Sequence, residues 1–175
     1  MWCKLLLCIV ACLSMHGLDL GFGSMLHTVH LISGEYQDEA AITVDIVVVY
    51  DPKLAEQLKS MKSAEYFNTV NSLYNAHPDD IYIWRFQQPK SYNRSIEGLQ
   101  WPANQVTCAQ MFIFVDYRNN KDNRITVPRS AKHVQLRLGR VEIESVTFDY
   151  ARKQIKTSKK VNEPKPTIFL GPQVS

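Results

Sequence analysis

The chain has 175 residues, of which 45% are hydrophobic and 21% charged, enough to bury the core of one soluble globular domain with tails. Nothing in the composition points to two domains. The formal charge of +3 is unevenly spread: residues 152–175 hold six basic side chains against Glu163, a net +5, and with Lys4 set aside the part between is at −3.

The first element in chain order is the apolar run Leu5 to Cys12, which stands behind Lys4 and ends in Ala11 and Cys12. A basic start, a short apolar segment and a small residue before the cut are the marks of a signal peptide. In a bacterial lipoprotein the residue after the cut is cysteine, because its thiolate takes a diacylglycerol before the peptidase acts. Ile9-Val10-Ala11-Cys12 has that pattern, whereas Cys8 follows the bulky Leu7. Residues 1–11 therefore read as a lipoprotein signal, with Cys12 as the lipidation site. The run is shorter than the roughly 20 residues that span a bilayer, and Asp19 ends any extension of it. An ordinary cleaved signal and a buried N-terminal segment are the two other readings that the pattern leaves open.

Four cysteines would suggest two disulfides in an exported chain. Cys3 and Cys8 leave with the signal, however, and Cys12 takes lipid, so Cys108 alone remains. Set in an apolar run, Cys108 reads as a small core residue rather than a nucleophile.

Residues 12–40 read as a lipidated tether leading to a first edge strand near Leu26 to Ile32. His27 and His30 share a His-x-x-His spacing, but with no third ligand nearby they read as part of that strand and not as a metal site. The β-sandwich domain is expected over 41–150. Ala41 to Tyr50 is its strongest strand: Ile42, Val44, Ile46 and Val48 share one face, and Val47 and Val49 make the other apolar as well. A strand apolar on both faces is central and covered on both sides. Asp45 then needs a partner or a place near the exposed end. Asp51-Pro52 starts a helix with the stripe Leu54, Leu58 and Met61, and a second helix starts at Ser63 and stops at Asn75-Ala76-His77-Pro78. Asp80 to Gln87 forms the next strand, with Ile81, Ile83 and Arg85 on one face and Tyr82, Trp84 and Phe86 on the other.

Residues 88–104 read as a long loop, and loops above roughly 12 to 15 residues are often functional. Tyr92, Leu99 and Trp101 on it either grip a partner, since aromatics dominate binding hot spots, or fold back over the sheet. Asn93-Arg94-Ser95 matches the glycosylation acceptor pattern, which in a bacterial lipoprotein is a chance match. Val106 to Tyr117 is a buried strand, Arg124 to Val127 returns from it, and Val134 to Leu138 with Val141 to Phe148 makes a closing hairpin. Residues 151–175 read as a basic tail, disordered until bound, with one short strand at most over Thr167 to Leu170. The sum is a mainly β fold, a small β-sandwich of about seven strands with a helical insertion after the first central strand.

No catalytic constellation emerges. The serines lack a Gly-x-Ser-x-Gly setting, no glycine loop cradles phosphate, and the cysteines have no metal spacing. The chain is therefore expected not to be an enzyme and to need no cofactor or metal. The basic tail lacks interleaved aromatics apart from Phe169, so nucleic acid is not an expected partner.

The order of these features is similar to that of the TssJ lipoproteins of bacterial type VI secretion systems. The resemblance rests on the lipobox, VDIVVVYDPKLAEQL, AQMFIFVDYR, RITVP and HVQLRLGRVEI, and it spans roughly residues 41 to 145. It implies a transthyretin-like β-sandwich, held by lipid in the outer membrane, facing the periplasm and bound to other secretion-system subunits in many copies. Under it Cys12 matches the acylated cysteine, and Leu13 after it fits outer-membrane sorting. The short signal, the broken helix pair and the basic tail depart from the pattern and leave room for a lipoprotein of a type IV outer-membrane core complex. A pilotin or chaperone-like lipoprotein that binds one outer-membrane client is the competing class.

Overall fold

The computed structural model describes residues 26–34, 41–89, 91–99 and 108–150, together with the backbone of Thr167–Ile168. The chain runs β1 (Thr28–Ser33), β2 (Ile42–Val49), α1 (Pro52–Ser60), α2 (Ser63–Ala76), β3 (Ile81–Gln88), β4 (Arg94–Glu97), β5 (Gln110–Asp116), β6 (Arg124–Val127), β7 (His133–Leu138), β8 (Ile143–Asp149) and β9 (Thr167–Ile168). The strands form two sheets, ordered β4-β1-β7-β8 and β6-β5-β2-β3-β9. Only β1 and β7 run parallel among these described pairs. The architecture is the expected β-sandwich with a helical insertion, built from nine described strands rather than about seven.

β2 has the central position that its two apolar faces demand. Val44, Ile46 and Val48 join Trp84, Phe86, Ile113 and Val115 against Val29, Leu31, Val134 and Leu136 of the four-stranded sheet. On the opposite face Val47 and Val49 join Ile83, Phe112 and Phe114 beneath Leu54, Leu58, Tyr66 and Val70 of the helices. Leu58 and Tyr66 are fully buried there, and sealing a side chain of that size from water stabilises the pairing of helix and sheet by about 2 kcal/mol.

Both helices begin where the sequence places them and α2 ends there too, whereas α1 stops at Ser60, one residue short of Met61 in the expected stripe. The Asp51 carboxylate accepts the Leu54 amide at 2.7 Å, and Pro52 occupies the first helical turn, where a missing N–H costs nothing. Met61 and Lys62 are extended and separate the two helices. Arg124 of β6 donates to the Met61 carbonyl at 2.8 Å and fastens the end of α1 to the sheet.

Two strands depart from the expectation. β1 is not an edge strand: it lies between β4 and β7, pairing antiparallel with the first and parallel with the second. At its end the chain passes so close to β7 that a Cβ on Gly34 would sit 2.7 Å from the Leu138 carbonyl, so only glycine fits. The stretch read as a long loop is interrupted by β4, which supplies the extra pairing on β1. β5 starts at Gln110 rather than Val106; Val106 and Thr107 lie outside the described residues.

Candidate partner-binding surface and the buried charge beneath the helices

Of the four residues singled out from the sequence, Cys12 and Trp101 lie outside the described residues. Tyr92 and Leu99 are placed apart in role. Leu99 is 8% exposed and belongs to the core between the sheets, so it takes the fold-back alternative. Tyr92 is 40% exposed and stands on the turn between β3 and β4, with the Arg94 guanidinium 5.8 Å from its ring centre.

A polar clasp holds that turn in place. Ser33, at the end of β1, donates from its hydroxyl to the Tyr92 carbonyl at 2.6 Å and from its amide to the Asn93 side chain at 3.0 Å. Gln88, fully buried at the end of β3, donates to the Ser33 hydroxyl at 2.8 Å and also to the Tyr92 carbonyl. Ser33 belongs to one sheet and Gln88 to the other, so the clasp ties the two sheets together at the base of Tyr92. The result is an aromatic ring presented on a braced turn. Asn93, the head of the glycosylation-like triplet, spends its side chain in this clasp.

Beneath the helices sits the charge that the sequence flagged. Asp45 is fully buried and lies opposite Arg85 in the β2–β3 register. Arg85 grips it with two bonds, Nε to Oδ1 at 2.8 Å and Nη2 to Oδ2 at 2.6 Å, while the Tyr66 hydroxyl donates to Oδ2 at 3.0 Å. Burial pushes the Asp45 carboxyl up, against the pull of the Arg85 bonds, the Arg85 charge and the Tyr66 bond. Arg85 is pushed up by its bond to Asp45, and burial drives the Tyr66 hydroxyl well above its ordinary value. The Tyr66 ring lies flat on Phe114 at 3.9 Å. Helix α2 is thus held to the sheet by an aromatic stack and a charged anchor in the same side chain. The pairing was legible in part: Asp45 and Arg85 each interrupt an apolar face of neighbouring strands.

A cavity of about 460 Å³ opens beside the start of α1, lined by Tyr50, Ala55, Lys59, Cys108, Gln110 and Arg129. Cys108 is half-buried and packs against the core, and burial pushes its thiol up despite the nearby Arg129 charge, the reverse of what a nucleophile needs. The Tyr50 hydroxyl is pushed up to about 12, first by burial and then by Cys108 and Tyr82. His27 comes within 6.3 Å of the His133 ring, and among the described residues no group of three or more His, Cys, Asp or Glu could hold a metal ion. No helix of the described residues is long and apolar enough to cross a membrane.

Neither a protein-family model nor a curated protein sequence matches the chain. Among solved structures, the chain is similar to Lip of Serratia marcescens, described as a membrane bound component of the type VI secretion system. The identity is 10% and the TM-score 0.39, over 67% of this chain and 96% of that one. At that score the likeness does not place the two chains in one family.

Proposed function

We propose that this chain is a structural lipoprotein of a trans-envelope secretion machine, anchored in the bacterial outer membrane through Cys12 and contacting other secretion subunits in the periplasm. One observation supports this reading above others: a lipobox, Ile9-Val10-Ala11-Cys12, precedes a β-sandwich whose helix pair follows directly on its central strand. At about 0.8 kcal/mol per buried methylene, one acyl chain holds a protein only marginally, while the two or three on a lipoprotein cysteine hold it essentially permanently. A domain fixed in this way need only present side chains such as Tyr92. Against a partner with many copies, weak single contacts then add through local concentration.

The test is mass spectrometry of the protein purified from cells, paired with mild crosslinking. The expected N-terminal peptide starts at an acylated Cys12, and Cys12→Ser releases the protein from the outer-membrane fraction and from a large envelope assembly. An unacylated peptide starting at Met1 overturns the anchor. Recovery of one unassembled client in place of an assembly overturns the structural role.

A further inference from the structure

β1, β3, β5 and β7 all stop at one end of the sandwich, where β2, β4, β6 and β8 start. Three large apolar side chains are exposed among the described residues, and two of them, Tyr92 and Val141, stand at this end; Tyr150 lies at the other. A single exposed apolar side chain is ordinary. Here each of the two sits on a turn tied to the opposite sheet. The clasp of Ser33 and Gln88 holds the Tyr92 turn. The Val141 turn, between β7 and β8, is held from the β5–β6 turn. The Asn119 side chain donates to the Val141 carbonyl at 2.6 Å, the Ile143 amide donates to the Asn123 side chain at 3.3 Å, and Lys121 pairs with Glu142 at 2.9 Å. Only β1 separates β4 from β7, so two strand spacings of about 4.8 Å put the two turns roughly 10 Å apart.

The charges beside Val141 leave a positive surplus. Glu142 is taken by Lys121 and Asp122 by Arg124, the Asp116 carboxylate accepts the Arg118 amide, and Glu144 lies against Gly139. Arg118 and Arg140 are exposed and enter none of the ion pairs among the described residues. Arg140 directly precedes Val141, and Arg118 directly precedes Asn119, whose side chain grips the Val141 carbonyl. Across the end, the Arg94 guanidinium lies 5.8 Å from the Tyr92 ring centre.

We propose that this end of the sandwich docks an acidic segment of a partner protein, which sets carboxylates on Arg118 and Arg140 and an apolar side chain between Tyr92 and Val141. About three residues of extended chain, at about 3.3 Å each, span the gap between the two turns. Tyrosine and arginine are the side chains that most often anchor such a contact, and the two cations reject a basic partner. The surface gives chemistry to the partner contact proposed above and rests on that contact role. Neither turn depends on lipid at Cys12, so the anchor and the docking end can fail separately.

The experiment uses the full chain in detergent and two labelled peptides. One alternates glutamate with leucine over eight residues; the other has glutamine for every glutamate. Fluorescence anisotropy reads binding at about 0.1 M and about 1 M salt, between which the Debye length falls from about 10 Å to about 3 Å. Amide exchange reads the place. The acidic peptide is expected to bind, to weaken at the higher salt and to slow exchange in residues 91–94 and 139–143, and its glutamine counterpart to bind about tenfold more weakly. Arg118→Ser/Arg140→Ser should weaken binding about tenfold, as the loss of two exposed ion pairs implies, and Val141→Ser about threefold. Lys159→Ser/Lys160→Ser removes the same charge from the basic tail and should leave binding unchanged. Unchanged melting curves show that the variants are folded. Absence of binding, equal binding of the two peptides, equal weakening by the tail and arginine variants, full binding to folded Val141→Ser, or slowed exchange confined to other segments would each overturn the proposal.

Discussion

Replacing Arg85 by leucine leaves the buried Asp45 carboxylate without its countercharge and with the Tyr66 hydroxyl bond alone of those described above. The Asp45 side chain is 0% exposed, while the Arg85 side chain keeps 23% exposure. Breaking a buried pair from one side costs about 3 to 5 kcal/mol, and the partial exposure of Arg85 puts Arg85→Leu near the low end, about 3 kcal/mol. For a chain of this size that lowers Tm by about 6 to 12 °C. The double variant Asp45→Leu/Arg85→Leu, made in a Tyr66→Phe background so that no buried hydroxyl loses its acceptor, removes both charges and is expected within about 1 kcal/mol of that background, since apolar replacement of a whole buried pair is close to neutral.

The cost of Arg85→Leu also depends on pH, in a direction that the site dictates. Burial raises the Asp45 carboxyl and Arg85 opposes that rise, so losing Arg85 lifts the folded-state value further above the unfolded one. A carboxyl raised in this way is stabilising in its protonated form, and that contribution is lost as pH rises through the folded value. Arg85→Leu is therefore most harmful at neutral pH and recovers as pH falls through that raised value. Urea unfolding followed by circular dichroism at pH 7 and pH 4.5 measures the two single variants, Asp45→Leu and Arg85→Leu, and the double variant. A cost for Arg85→Leu below about 1 kcal/mol at pH 7, or a double variant equal to the sum of the singles, would refute the buried-pair account.

Tyr92→Ala and Leu99→Ala separate the two roles on one segment. Leu99→Ala should cost about 2 kcal/mol of stability as a core truncation, whereas Tyr92→Ala should change stability by under about 0.5 kcal/mol yet, under the proposed function, weaken crosslinking within the envelope assembly; unfolding midpoints and crosslinked yield read the two. In alkali, Tyr50→Phe should remove a hydroxyl that titrates near pH 12 from the ultraviolet absorbance curve. A tyrosine raised on folding contributes stability below its unfolded value, near 10, that is lost as pH rises through about 12, so the variant should also lose less stability over that interval.

The strongest features of the fold were legible because they were local. Eight apolar and polar positions in β2 declared both its covered faces and its one buried charge, and Asp51-Pro52 marked the start of α1 without help from any other part of the chain. What was not legible depended on distant pairing. β4 has four residues with Ile96 as its one aliphatic side chain, too little pattern to be told from a loop; it becomes a strand because β1 offers a ladder. The same pairing moved β1 from the edge to the interior. Tyr92 and Leu99 lie on one short segment and look alike as apolar loop residues, and only the clasp of Ser33 and Gln88 decides that one faces out. Arg85 carried the weakest usable signal, a charge on an otherwise apolar face beside the strand that holds Asp45.

The parallel alignment of β1 with β7 sets a schedule for the newborn chain. Those strands are separated by about a hundred residues, a span whose closure is paid for before any contact rewards it. The five-stranded sheet and its helices draw nearly all their ladders from a contiguous middle stretch and can assemble early, while the four-stranded sheet waits for the last third of the polypeptide. Until then the inner face of the five-stranded sheet lacks the cover of Val134 and Leu136, and a chain stalled before β7 would show that sticky wall to whatever lies nearby.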